Sequence, residues 1–123
     1  MNGCSRYCTF CIVPYVRGNE ASRNPESIIR EVELAVQEGY KEVTLLGQII
    51  DLYGRDLRPR MTFDQLLKKV SSIKGLERLR FLTSHPKYMS KDIIDTVAEN
   101  PNICEFFHLP LQSGNDEILH KNE

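Results

Sequence analysis

Apolar residues return at helical spacing three times along the chain, and each stretch hands over to a short β-rich run. In the first, Ile28, Val32 and Ala35, flanked by Ile29 and Val36, share one helix face. Asn24 is placed to cap that helix, Pro25 to take its first position and Gly39 to stop it. The run EVTLL over residues 42–46 then reads as a strand ending at Gly47. In the second unit, Thr62 and Gln65 carry a capping-box signal, Leu66, Leu67 and Val70 turn inward, and Gly75 precedes a strand over residues 78–82. In the third, Ser90 caps a helix carrying Ile93, Ile94, Val97 and Ala98, which halts at Asn100-Pro101 before a strand over residues 105–109. A further helix begins near Asn115.

Helices alternating with strands through short connections predict an α/β fold with a parallel sheet, open or curled into a barrel. The one longer connection, residues 49–61, carries Arg55, Arg58 and Arg60 and reads as a solvated surface insertion. A parallel sheet presents its functional residues at the C-terminal ends of its strands. The search for chemistry therefore starts at Gly47-Gln48, Ser84-His85-Pro86 and Gln112-Ser113-Gly114.

Composition narrows the setting. With 123 residues the chain is one domain at most. Hydrophobic residues make up 41% and charged residues 27%, and no apolar run is long enough to cross a bilayer. Sixteen basic against seventeen acidic side chains leave a net charge of -1, so the overall field does not attract nucleic acid and any RNA contact must be local. Three of the four cysteines fall within eight residues, a clustering that favours a metal site in a reducing, cytoplasmic setting over a disulfide framework. Met1-Asn2-Gly3 runs straight into this cluster with no readable signal peptide, as expected of a fragment whose upstream part is missing.

Cys4, Cys8 and Cys11 have the spacing C-x3-C-x2-C. Three thiolates this close can each hold one iron of a 4Fe-4S cubane within a single loop, which leaves the fourth iron open. Two other readings use the same thiols. One is a zinc site completed by Cys104, His85 or His108, and the other a redox pair of Cys8 and Cys11, which leaves Cys4 unexplained. Cys104 itself, beside a predicted strand, reads as a small core residue. His108 and Tyr53 read as structural.

The words GCSRYCTFCIVPYVRGNEASR, EVTLLGQ, TSHP and HLPLQSGND resemble the radical S-adenosylmethionine methylthiotransferases, and among them the MiaB-type tRNA enzymes, over essentially the whole chain. The resemblance implies a partial βα, TIM-like radical SAM barrel truncated at both ends, with residues 1–123 forming part of that core. It places outside this chain an N-terminal methylthiotransferase domain holding a second 4Fe-4S cluster and a C-terminal RNA-binding TRAM domain. The implied reaction is reductive cleavage of S-adenosylmethionine at the first cluster, followed by methylthiolation of carbon 2 of isopentenyladenosine beside the tRNA anticodon. The implied partners are the anticodon loop and an electron donor such as flavodoxin or ferredoxin, with no membrane and a monomeric parent enzyme. Alternatives within reach are a methylthiotransferase acting on threonylcarbamoyladenosine tRNA or on a ribosomal protein, and a non-catalytic zinc or iron-sulfur module.

Residue by residue, the resemblance gives Cys4, Cys8 and Cys11 to the cluster, and Phe10, Gly47, Gln48, Ser84, Gln112 and Ser113 to cofactor contact. Arg17, Arg23 and His85 are assigned to the substrate, arginines being suited to phosphate grip. No residue is expected to act as a catalytic acid or base. One departure stands out: the family word Gly-Gln-Asn reads Gly47-Gln48-Ile49 here, which replaces a polar side chain beside the cofactor shelf by an apolar one.

Overall fold

The computed structural model describes residues 1–121. Its elements run α1 (Val13–Arg17), α2 (Pro25–Gln37), β1 (Glu42–Leu45), a 3-10 turn (Ile50–Leu52), α3 (Phe63–Ser71), β2 (Arg78–Phe81), α4 (Lys91–Glu99) and α5 (Asp116–Lys121). The capping signals act as expected. Asn24 accepts from the Ser27 N–H at 3.2 Å, the Thr62 N–H donates to Gln65 Oε1 at 3.1 Å, and Ser90 Oγ accepts from the Ile93 N–H at 3.3 Å. No helix among the described residues is long and apolar enough to cross a membrane.

β1 and β2 pair in parallel, with Glu42 opposite Arg78 and Leu45 opposite Phe81. They are joined through α3, which makes the α/β, parallel-strand class a property of the structure. Leu66, Leu67 and Val70 of α3 pack on Leu79 and Phe81 of β2 together with Val32, Ile93, Val97 and Ile103. Phe63 meets Phe81 edge to face at a centroid distance of 5.2 Å. The core thus sits where α2, α3 and α4 cover the strands, and it runs to the last residues of both, Leu45 and Phe81.

Three expectations are corrected. The strand expected over residues 105–109 does not form. Ile103 bridges Leu79, but the Phe106 N–H turns back to the Cys104 carbonyl at 2.8 Å and takes the chain off the ladder. Residues 49–61 are not a solvated insertion, because Ile49, Ile50, Leu52 and Tyr53 are all buried and exposure begins only at Arg55. On α4, Ile93 and Val97 are buried with Thr96, while Ile94 and Ala98 face outward. The structure also adds α1, which Pro14 starts and Gly18 ends by donating its N–H to the Pro14 carbonyl at 3.1 Å.

Candidate functional site

The cysteines lie on a loop that is pinched at its base. Asn2 and Ala21 exchange two backbone hydrogen bonds of 2.9 and 2.8 Å, and the Cys4 N–H donates to the Gly18 carbonyl at 3.0 Å. Gly3 makes this possible. At a φ of +71° it adopts a left-handed conformation, and a Cβ there would lie 2.0 Å from the Asn19 carbonyl oxygen. Cys8 and Cys11 are brought round by a tight turn, in which the Cys11 N–H donates to the Cys8 carbonyl at 3.0 Å.

All four cysteines are free thiols, with Cys4 buried and the other three half-buried. Burial is the largest influence on Cys4 and pushes its thiol up from the ordinary value; a hydrogen bond from the Arg6 N–H to its sulfur, at 3.4 Å, pulls the other way. Ile49, the departure from the family word, is buried beside Cys4 and Leu52, with Val13 and Tyr88 packed against them. The apolar side chain therefore supports the cysteine loop from beneath.

A cavity of about 170 Å³ brings the loop and the strand ends together. Cys4, Cys8, Cys11 and Phe10 line it from the cysteine loop. Gln48, Ser84 and His85 line it from the ends of β1 and β2, and Gln112 from the approach to α5. Eight of the residues singled out in the sequence thus share one cavity. Gly47 stands behind its wall with its carbonyl accepting from the Thr83 hydroxyl at 2.5 Å, and Ser113 lies outside the lining, where its hydroxyl accepts from the Asn115 N–H at 3.1 Å. Arg17 is exposed on the last turn of α1. Arg23 is bound along α2 to Ser27 and Glu31. Neither arginine reaches the cavity.

A second, larger cavity of about 380 Å³ lies between α2 and β1 and is lined largely by aliphatic side chains, with no cysteine among them. It borders β1 and carries no thiol. The smaller cavity is the candidate site.

Two residues near its wall adopt positive φ without being glycine: Thr83 at 68° and Gln112 at 74°. A β-branched residue in that region is strained, and such strain persists where the surroundings over-determine the backbone. Around Thr83 they do. Its N–H donates to His108 Nδ1 at 3.2 Å, its carbonyl accepts from the Ile50 N–H at 3.1 Å, and the neighbouring Ser84 N–H donates to the His108 carbonyl at 3.0 Å. His108, expected as structural, holds this turn and also lines the cavity, and Tyr53 ties the segment after β1 to the start of α2. The Tyr53 hydroxyl donates to the Arg23 carbonyl at 2.7 Å, and its pKa is pushed up to about 12, chiefly by burial.

Asp51, which sequence reasoning passed over, ties the two strand-end loops together. Its Oδ1 accepts from the Ser84 hydroxyl at 3.0 Å and its Oδ2 from the His85 N–H at 2.7 Å. No spacing signal marks it; only the fold brings residues 51 and 84 together. Burial raises its carboxyl above the ordinary 3.8, against the pull of the hydrogen bonds from His85 and Ser84. A raised folded-state value means that protonation favours the folded chain. That contribution is complete below the unfolded value and is lost as pH rises through the folded one. Asp51→Asn removes this dependence at the cost of one hydrogen bond, about 1 kcal/mol. Stability of the variant relative to the unsubstituted protein is therefore expected to rise from about pH 4 towards neutrality. Denaturant titrations of both proteins across that range check it, and a pH-independent difference would contradict it.

His85 is held in one tautomer. Its Nδ1 accepts from the Lys87 N–H at 3.1 Å, so in the neutral ring the proton resides on Nε2. Burial is the first cause lowering its pKa, followed by the Arg6 charge, and the ring is neutral at physiological pH. His85 thus offers a neutral N–H donor at the cavity.

The sequence profile of the Radical SAM superfamily matches residues 1–123, and the chain belongs to that superfamily. It is 56% identical over 121 residues to a tRNA-2-methylthio-N(6)-dimethylallyladenosine synthase of Clostridium botulinum strain Hall, a match covering 98% of this chain and 27% of that protein. It is 54% identical over 119 residues to the protein of the same name from Clostridium beijerinckii, covering 97% of this chain and 26% of that one. The chain spans about a quarter of the length of these curated relatives.

Membership implies a 4Fe-4S cluster and S-adenosylmethionine, and the donor set fits them. Among the described residues no three His, Cys, Asp or Glu side chains converge as ligands of one ion. A cubane asks for one thiolate on each of three irons, and Cys4, Cys8 and Cys11 all line one cavity.

Proposed function

We propose that this chain is part of the core of a radical SAM methylthiotransferase that adds a methylthio group to carbon 2 of N6-isopentenyladenosine beside the tRNA anticodon. The observation that carries the reading is the sharing of one cavity by Cys4, Cys8 and Cys11 with Gln48, Ser84 and His85 from two parallel strand ends. The substrate follows the relatives' printed name.

When bound, the cluster supplies one-electron cleavage chemistry to S-adenosylmethionine. The chain's residues hold and orient. Cys4, Cys8 and Cys11 ligate, and Phe10 offers a ring at the cavity for the adenine. Gln48, Ser84, Gln112 and Ser113 supply polar groups for the cofactor, with Gly47 giving close backbone approach. His85 donates from Nε2 towards the substrate side, and Arg17 and Arg23 are more distant candidates for RNA contact. No side chain has to move a proton, because the target carbon is neither acidic nor open to nucleophilic attack.

The fold reading is a partial TIM-like βα barrel. The outer edge of β1, next to the larger cavity, is suited to a further parallel strand. The rest of the assembly comprises a separate domain with a second 4Fe-4S cluster, a TRAM domain, a flavodoxin- or ferredoxin-type donor and a monomeric, cytoplasmic enzyme.

The test is anaerobic reconstitution of the full-length protein with iron and sulfide. A brown protein that releases 5′-deoxyadenosine from S-adenosylmethionine and adds a methylthio group to isopentenylated tRNA, read by nucleoside mass spectrometry, is expected. A colourless protein that retains zinc and yields neither product would sink the reading.

A further inference from the structure

Two imidazoles at the wall of the cysteine cavity are fixed by backbone amides in the same way. His108 Nδ1 accepts from the Thr83 N–H at 3.2 Å, and His85 Nδ1 accepts from the Lys87 N–H at 3.1 Å. Both side chains line the cavity. An imidazole whose Nδ1 accepts is neutral and carries its proton on Nε2, on the other flank of the ring. The cavity therefore has two N–H donors in its wall, and among the described residues neither Nε2–H meets an acceptor.

The fold sets both rings. The His108 carbonyl accepts from the Ser84 N–H at 3.0 Å while its ring takes the Thr83 N–H, so one residue holds two consecutive amides. That grip helps to keep Thr83 at a φ of 68°. The His85 N–H donates to Asp51 Oδ2 at 2.7 Å, and the His85 ring lies 5.3 Å from that of Tyr88. Burial, the first cause, lowers the His85 pKa and favours the neutral ring.

No carboxylate lines the cavity to take up these donors. Asp51 stands behind the wall and accepts from Ser84 and His85, and Glu20, whose charge reaches Cys4, lies outside the lining. Ser84 gives its hydroxyl proton to Asp51 at 3.0 Å, and the Gln112 amide donates to the Pro110 carbonyl at 3.2 Å. Neutral N–H donors suit a neutral acceptor, whereas an anion gains most from a charged one.

We propose that His85 and His108 read the substrate base, one donating its Nε2–H to N1 of the adenine and the other to N3, the two acceptor nitrogens that flank the carbon to be modified. This rests on the tRNA reading above. Adenine N1 and N3 carry lone pairs and no hydrogen, and in an unstacked base both are open to protein donors. The pair also discriminates. Guanine would set its N1–H and 2-amino group against a donor, leaving buried donors unpaired, which costs more than a missing contact. Donors on either side leave the C2–H bond uncovered between them.

The experiment measures binding of anticodon stem-loop RNAs to the full-length, cluster-loaded protein. The RNAs carry isopentenyladenosine or its 1-deaza, 3-deaza or 7-deaza analogue, each of which replaces one ring nitrogen by C–H. The 1-deaza and 3-deaza RNAs should each bind about fivefold more weakly, the scale of one neutral hydrogen bond, and the 7-deaza RNA as well as the parent. His85→Asn and His108→Asn set an amide oxygen where Nδ1 stands and no donor where Nε2 stands, so the backbone clamps persist. Each variant should lose about fivefold in affinity for the parent RNA and become indifferent to one of the two sensitive deaza changes, while the other keeps its effect. Iron content and S-adenosylmethionine affinity, the latter by equilibrium dialysis, should match those of the unsubstituted protein.

Equal binding of all the RNAs by the unsubstituted protein would overturn the proposal and leave the tRNA reading intact, and this comparison decides the point even where a variant does not fold. Variants that lose affinity for every RNA alike, with both deaza effects unchanged, would show that the histidines only shape the wall and would overturn it too. Loss of S-adenosylmethionine affinity with RNA binding preserved would overturn it in favour of the cofactor as the acceptor. Failure of the unsubstituted protein to bind the parent RNA would remove the tRNA reading and the proposal together.

Discussion

Alanine at Cys4, Cys8 or Cys11 in the full-length protein is expected to abolish one cluster's worth of iron and all release of 5′-deoxyadenosine, whereas Cys104→Ala should retain both. The contrast follows from position. The first three thiols line one cavity, while Cys104 lies where its N–H donates to the Leu79 carbonyl at 2.9 Å, in the ladder beside β2. The three ligands should also be distinguishable before the cluster is built. Cys4 is 7% exposed and its thiol is raised by burial, so it is protonated at neutral pH and must lose that proton to ligate. Alkylation of the iron-free protein should therefore label Cys8 and Cys11 ahead of Cys4, with peptide mass spectrometry giving the order. Labelling of Cys4 first would show that the buried position does not exist in solution.

Gly3→Ala is expected to cripple the site while leaving every ligand in place. The new methyl would meet the Asn19 carbonyl oxygen at 2.0 Å and the Gly18 carbonyl oxygen at 2.7 Å, at a φ of +71°. Relief requires the backbone to move, at the expense of the Asn2–Ala21 bridge and the hydrogen bond from the Cys4 N–H to Gly18. The combined cost is on the order of 3 kcal/mol, from a left-handed non-glycine residue and up to three weakened hydrogen bonds. Gly18→Ala is the control. At φ +69° and ψ -166° it too occupies backbone space that favours glycine, at about 1–3 kcal/mol, but a methyl there meets nothing within 4 Å, so no clash is added. Iron retained per protein after desalting is the measurement. Gly3→Ala should retain little and Gly18→Ala clearly more, and equal retention in the two variants would refute the steric account.

Much of the frame was legible from local chemistry. Asn24, Thr62 and Ser90 mark helix starts through side-chain and backbone groups within three residues of each other, so sequence spacing reports them directly. The inward faces of α2 and α3 were legible too, because burial on one side imposes the helical period. Residues 49–61 were not. A single 3-10 turn is too short to show a period, and the three arginines masked four buried apolar side chains. The strand expected after α4 failed on a hydrogen bond that no propensity encodes, the return of the Phe106 N–H to Cys104.

The candidate site divides in the same way. The thiols were legible because one loop supplies them all. Gln48, Ser84 and His85 were found because a parallel sheet gathers its strand ends, whereas Gln112 reaches the cavity from a segment that forms no strand. Asp51 and the place of His108 at the cavity were invisible, since each depends on contacts between segments at least 25 residues apart. Arg17 and Arg23 show the converse. Proximity to the cysteines in sequence suggested proximity in space, and the α1 turn carries them off.

The pinch between Asn2 and Ala21 also bears on how such a segment can change over time. Its two ends leave the body of the protein at adjacent points, so the residues between them form a cassette whose length and content can vary with little strain passed to the sheet. A host that supplies those two anchor points and a greasy seat under the first cysteine could accept the cassette whole. Grafting residues 3–20 onto an unrelated pair of adjacent backbone ends that offers such a seat is the design problem this pinch defines.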